Sequence, residues 1–136
     1  MREKIILSKT FITRDKLLSL IENIGVNYKF RILKEDTYDA DDIDFYRDIS
    51  DDKFYLIGFQ LISENRYGRD PINIEGEDYS ISLFITHHSE ILNEVNIIIK
   101  ELLETYPEAR VTDETYKNYF SIEDINSGNV DPWLLD

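Results

Sequence analysis

Two adjacent residues, His87 and His88, are the only imidazoles in a chain of 136 residues that contains no cysteine. A histidine pair invites two readings, general base or metal ligand, and both depend on geometry. Neighbouring side chains point to opposite sides of a strand, or about 100° apart on a helix, so these two do not converge on one ion. No H-x-x-x-H or H-E-x-x-H spacing accompanies them. They read as an ordinary pair where a strand gives way to a helix. The five glycines are too scattered to cradle a phosphate, and no G-x-S-x-G elbow presents a serine. Carboxylate pairs suited to acid–base work can be drawn at will from 28 acids and so carry no information. The expectation is a protein that is not an enzyme, with no catalytic residue, metal site or cofactor.

The densest chemistry lies between Asp36 and Asp52, where DTYDADDIDFYRDISDD holds eight aspartates and one arginine. Its net charge of −7 is more than half of the chain's −13. Calcium is the first test, and the spacing fails it. Counting from Asp39 places Asp41 at position three, but Ile43 at five, Phe45 at seven and Ser50 at twelve. Counting from Asp42 fails at Tyr46 and at Lys53, and neither frame has the central glycine or the closing glutamate. Carboxylates this crowded repel unless water, a cation or a basic partner compensates them. Rings set among charges match the composition of an interface, where aromatics anchor and charges steer. The segment is therefore read as a loop that is either solvated or a contact surface. The partner-binding residues expected from it are Tyr38, Asp39, Asp41, Asp42, Asp44, Phe45, Tyr46, Asp48, Asp51 and Asp52.

Composition limits the partner. A charge of −13 with singly scattered Lys and Arg argues against direct nucleic-acid binding, which needs clustered cations. It disfavours anionic membranes for the same reason. The opening MREKIILSKTF has three consecutive apolar residues, too few for a signal-peptide core, and no later run approaches a membrane span. With the absence of cysteine, this points to a cytoplasmic protein.

The length fits a single domain, 1–136, and 42% apolar residues suffice for one core. Ile5–Leu7 reads as a weak first strand. Thr13 caps a helix over 14–24, with Leu17, Leu18, Ile21 and Ile24 at helical spacing and Gly25 at its left-handed end. Period two follows over 26–35, marking a half-buried strand, and KFYLIGFQLI (53–62) suits a central one. Gly58 within that strand marks a bulge or a close approach of backbone. Residues 63–78 read as loop and 79–85 alternate again. Ser89 begins a strongly amphipathic helix that Pro107 ends, and short strands are expected over 109–112 and 115–120. The terminal DPWLLD is an apolar tail, expected to dock on its own domain. The fold expected is α+β: two layers, a mostly antiparallel sheet with a meander of three central strands, and two amphipathic helices on one face. A ferredoxin-like arrangement is the alternative.

A small, cysteine-free, acidic chain without catalytic motifs resembles bacterial toxin-neutralising immunity proteins in general type, though no motif ties it to one family. The function expected is that of an intracellular binding protein that neutralises a basic protein partner such as a nuclease toxin. Two alternatives accompany it: a nucleic-acid mimic that blocks a DNA-binding or defence protein, and a small-ligand-binding regulatory domain or enzyme.

Overall fold

A computed structural model of the chain describes residues 2–10, 12–36, 41–50, 53–62, 71–87 and 92–131. The elements run β1 (Arg2–Ser8), α1 (Arg14–Asn27), β2 (Arg31–Asp36), β3 (Asp41–Ser50), β4 (Lys53–Leu61), β5 (Ile72–Ile74), β6 (Glu77–His87), α2 (Leu92–Thr105), β7 (Arg110–Asp113) and α3 (Ile122–Ser127). The seven strands form an antiparallel sheet in the order β2-β3-β4-β6-β1-β7, with β5 paired to β6. The fold is α+β, as the periodicities require.

One face of the sheet carries the main core. Ile6, Ile43, Phe45, Ile57, Phe59, Leu61, Leu83, Ile85 and Val111 meet Leu17, Ile21 and Ile24 of α1 and Val95, Ile98, Ile99, Leu102 and Leu103 of α2. Phe45 sits between two rings, stacked on Phe30 at 5.3 Å and edge-on to Phe59 at 4.6 Å. Such pairs contribute about 0.5–1.5 kcal/mol beyond their buried area. The opposite face is covered over part of its extent by the β5–β6 hairpin, whose Ile72 and Ile74 pack on Ile5, Leu7, Tyr79 and Phe84. The hairpin turns at Glu75 and Gly76, both with positive φ (52° and 85°), which gives the two-residue turn whose twist matches the strands.

Several local expectations give way to tertiary packing. The acidic segment is mostly strand, not loop: β3 pairs with β2 and β4, because Ile43, Phe45 and their polar neighbours alternate with a strand's period. Gly25 does not end α1, which continues to Asn27. The left-handed residue is Lys29 (φ 62°), and Phe30 N–H donates to Gly25 O at 2.8 Å, the closing bond of a Schellman motif. Gly25 instead serves close packing, since a Cβ there would lie 2.7 Å from Ile32 Cδ1 and 2.9 Å from Phe45 Cζ. The strand expected from Val26 therefore starts at Arg31. β1 is an interior strand, flanked by β6 and β7. Residues 63–78 are loop in expectation, yet 72–74 form β5. The expected strand over 115–120 reduces to one bridge, Val111 with Phe120. A third helix, α3, follows a capping box in which Ser121 and Asp124 satisfy each other's backbone amides. The tail, 132–136, lies outside the described residues.

Two stability outcomes follow. Leu102→Ala, at a position 2% exposed, is expected to cost about 2–5 kcal/mol in urea unfolding; a change within ±0.5 kcal/mol, typical of surface sites, would mean the α2 face is not buried. Gly25→Ala gains about 1 kcal/mol of helix propensity but forces the Phe45 ring, held by two others, to move. Overpacking of about 1–3 kcal/mol outweighs the gain, so the variant is expected to unfold at lower urea.

Candidate functional site

The half of the outer sheet face away from the hairpin holds a cavity of about 280 Å³ among the described residues. Its geometry follows from register. Glu3 of β1 pairs with Thr86 of β6, Thr86 with Gly58 of β4, and Gly58 with Asp44 of β3, so the four form one row across four strands. Directly opposed residues share a face. In the middle of this row Gly58 presents no side chain, and the row sinks there. Gln60 and Phe84, opposed to each other, form the next row and a second side of the cavity.

The missing Cβ is a requirement of the site. A Cβ on Gly58 would lie 2.8 Å from Thr86 Oγ1 and 3.2 Å from Asp44 Oδ1. Both oxygens therefore lean over the glycine. Two carboxylates, Glu3 and Asp44, line the cavity, and among the described residues no lysine or arginine does. The site is open, acidic and rich in acceptors, and with an apolar patch at Phe84 it suits a cationic group on an alkyl stem. Its volume falls just below the roughly 300–1,000 Å³ of small-molecule sites. At ~4.8 Å per strand spacing, Glu3 and Asp44 are also about 14 Å apart along the backbone row. The arrangement flanks a guest from two sides rather than pairing an acid with a base.

The expected partner-binding residues separate into distinct groups. Asp44 lines the cavity. Tyr46 is half-buried in the same strand, with the Arg31 guanidinium 6.0 Å from its ring centroid. Phe45 points the other way and is fully buried between Phe30 and Phe59, so it is a core ring and not an exposed anchor. Asp41, Asp42 and Asp48 lie on β3, their Cα atoms opposite Leu61, Gln60 and Phe54 of β4. Tyr38, Asp39, Asp51 and Asp52 lie outside the described residues. Glu3, Gln60 and Thr86 escaped the sequence reading, because nothing local to them predicts that β6 lies between β4 and β1. The glycine inside an apolar strand was the one available signal.

His87 ends β6, fully buried, and His88 lies outside the described residues. One row away along β1, Lys4 is also buried, at 1% exposure. Desolvation first, and then the Arg2 charge, lower its amine from 10.5 to about 8, against the opposing pull of Glu114 and Asp113. An amine of that kind can act as a nucleophile near neutrality, but neither Lys4 nor His87 lines the cavity. Among the described residues, no group of three His, Asp or Glu side chains is placed to hold a metal. No helix among them is long and apolar enough to cross a membrane. No protein-family model, curated protein or solved structure matches the chain.

The buried amine has a measurable signature. Below about pH 8 both folded and unfolded chains carry the Lys4 proton, and the desolvation penalty is fully present. Between about 8 and 10.5 the unfolded chain holds the proton more tightly, so stability from this group rises with pH. Across that window the urea midpoint of the wild type should gain on that of Lys4→Met, since only the wild type carries a penalty that deprotonation relieves. Parallel curves would mean that the amine is hydrated.

Proposed function

We propose that the protein is a small acidic binding protein that neutralises a basic protein partner, in the manner of an immunity protein, through the outer face of its sheet. The observation that carries this reading is the cavity floored by Gly58 and walled by Glu3 and Asp44, which takes a lysine or arginine side chain with its stem against Phe84. A charge-assisted hydrogen bond from such a cation to either carboxylate is about twice as strong as a neutral one. The surrounding field of a chain at −13 accelerates encounter with a basic surface. A nuclease is a suitable partner class, since its phosphate-binding cations are the groups an acidic face can occupy in place of nucleic acid. Cytoplasmic residence belongs to the same proposal.

The partner is to be captured by co-purification from a native lysate and identified by its mass. Association is then measured at low and high salt for wild type and for the Glu3→Gln, Asp44→Asn double variant. The variant should associate on the order of tenfold more slowly at low salt, with a weaker salt dependence, at unchanged fold. Equal rates and equal salt dependence would remove the cavity from the interface. A retained small ligand in place of a basic protein would favour a regulatory ligand-binding domain instead.

A further inference from the structure

The two outermost strands of the sheet are treated differently. On β7, Val111 N–H donates to Phe120 O at 3.0 Å and Phe120 N–H donates to Val111 O at 2.9 Å. Thr112 Oγ1 adds a bond to Asn118 O at 2.7 Å, so the chain after β7 folds back and covers that edge. β2 bounds the sheet on the other side, and among the described residues no strand pairs with its outer side. It carries exposed Arg31 and Leu33, the latter an apolar side chain 47% exposed in the middle of the strand. Val26, 69% exposed, follows the glycine by which α1 packs on Ile32 of this strand. An edge that no described strand covers, with an apolar centre, is a template for another strand.

We infer that the occupant of this edge is a second copy of the chain, with two β2 strands pairing antiparallel about a two-fold axis normal to the sheet and Leu33 opposite Leu33. Register decides the case. Alternate residues of β2 direct their amides and carbonyls to β3, so the outward groups belong to residues of one parity. An antiparallel self-pair must oppose residues of the same parity, which leaves registers centred on Ile32, Leu33 or Lys34. Centring on Lys34 sets lysine against lysine, and like charges directly opposed are destabilising. Centring on Ile32 sets Arg31 against Leu33. Centring on Leu33 sets Arg31 opposite Glu35 of the second copy, twice by symmetry, on either side of an apolar pair. It is the register that joins opposite charges, and it makes the strand RILKED self-complementary. The position of Arg31 over Tyr46 places its guanidinium on the outer face. The two sheets become one, with both acidic cavities opening on the same side. This inference is independent of what the cavities bind.

Sedimentation velocity on the purified chain tests it. The wild type is expected to be a dimer, whereas Arg31→Glu alone and Glu35→Arg alone are each expected to be monomers with unchanged circular dichroism. An equimolar mixture of the two variants should recover the dimer. In a mixed pair one strand is acidic at both positions and the other basic at both, so each acid again faces a base. A monomeric wild type overturns the inference. So does a dimer that both variants retain, or one that both lose and their mixture fails to recover.

Discussion

The burial of Phe45 between Phe30 and Phe59, under the bare Cα of Gly25, fixes how the sheet faces its surroundings. A strand's side chains alternate, so fixing one ring inward determines every neighbour. With Ile43 and Phe45 committed to the helices, Asp44 and Tyr46 must face outward, and a slip of one residue would drive the Asp44 carboxylate into the core. Burying an unpaired carboxylate costs far more than any gain from alternative pairing. The outward position of Asp44 and Tyr46 is thus a consequence of the aromatic packing beneath them.

That dependence explains what the sequence disclosed. Period-two alternation over 79–85 and helical spacing through α2 reflect local burial on one side, and both elements appear where the pattern puts them. The acidic segment carried the same alternation, with Ile43 and Phe45 among aspartates, but charge density suggested a loop. Composition was the weaker guide. β1 gave a short apolar run because it is covered on both faces, by α-helical side chains against Ile6 and by the hairpin against Ile5 and Leu7. The αL residue at the end of α1 was assigned to Gly25 on propensity alone. Tertiary contact reserved that glycine for close approach and placed the strain on Lys29. Of the cavity, Asp44 was legible and Gly58 was half-legible. Glu3 and Thr86 were not, since their meeting depends on strand order rather than on anything within reach of either residue.

The two sides of the sheet divide the chemistry. The helical side holds the apolar mass and two buried polar groups, Lys4 and His87, at the end where β6 leads toward α2. The outer side is apolar under the hairpin and acidic beyond it. Tyr79 sits at the apolar end with the Lys9 and Arg110 cations 5.8 and 5.7 Å from its ring centroid, and Lys9 is also paired with Glu77 of the hairpin.

The interior position of β1 has a temporal consequence. Its partners are distant in the chain, Arg2 against His87 and Lys4 against Asp113, whereas β2, β3 and β4 pair through short connections. Loop-closure entropy favours the local meander as the first structure to form, with closure of the sheet by β1 a late event. During synthesis the first strand emerges from the ribosome long before its neighbours exist. Its Ile5-Ile6-Leu7 run then waits unpaired until Ile81–Phe84 of β6 are made, and its second edge until Arg110–Thr112 of β7 are made. A nascent chain in that condition is exposed to wrong pairings and to chaperones. The charged residues on either side of the run, Arg2, Glu3, Lys4 and Lys9, are placed where they keep such a strand in solution until β6 and β7 arrive.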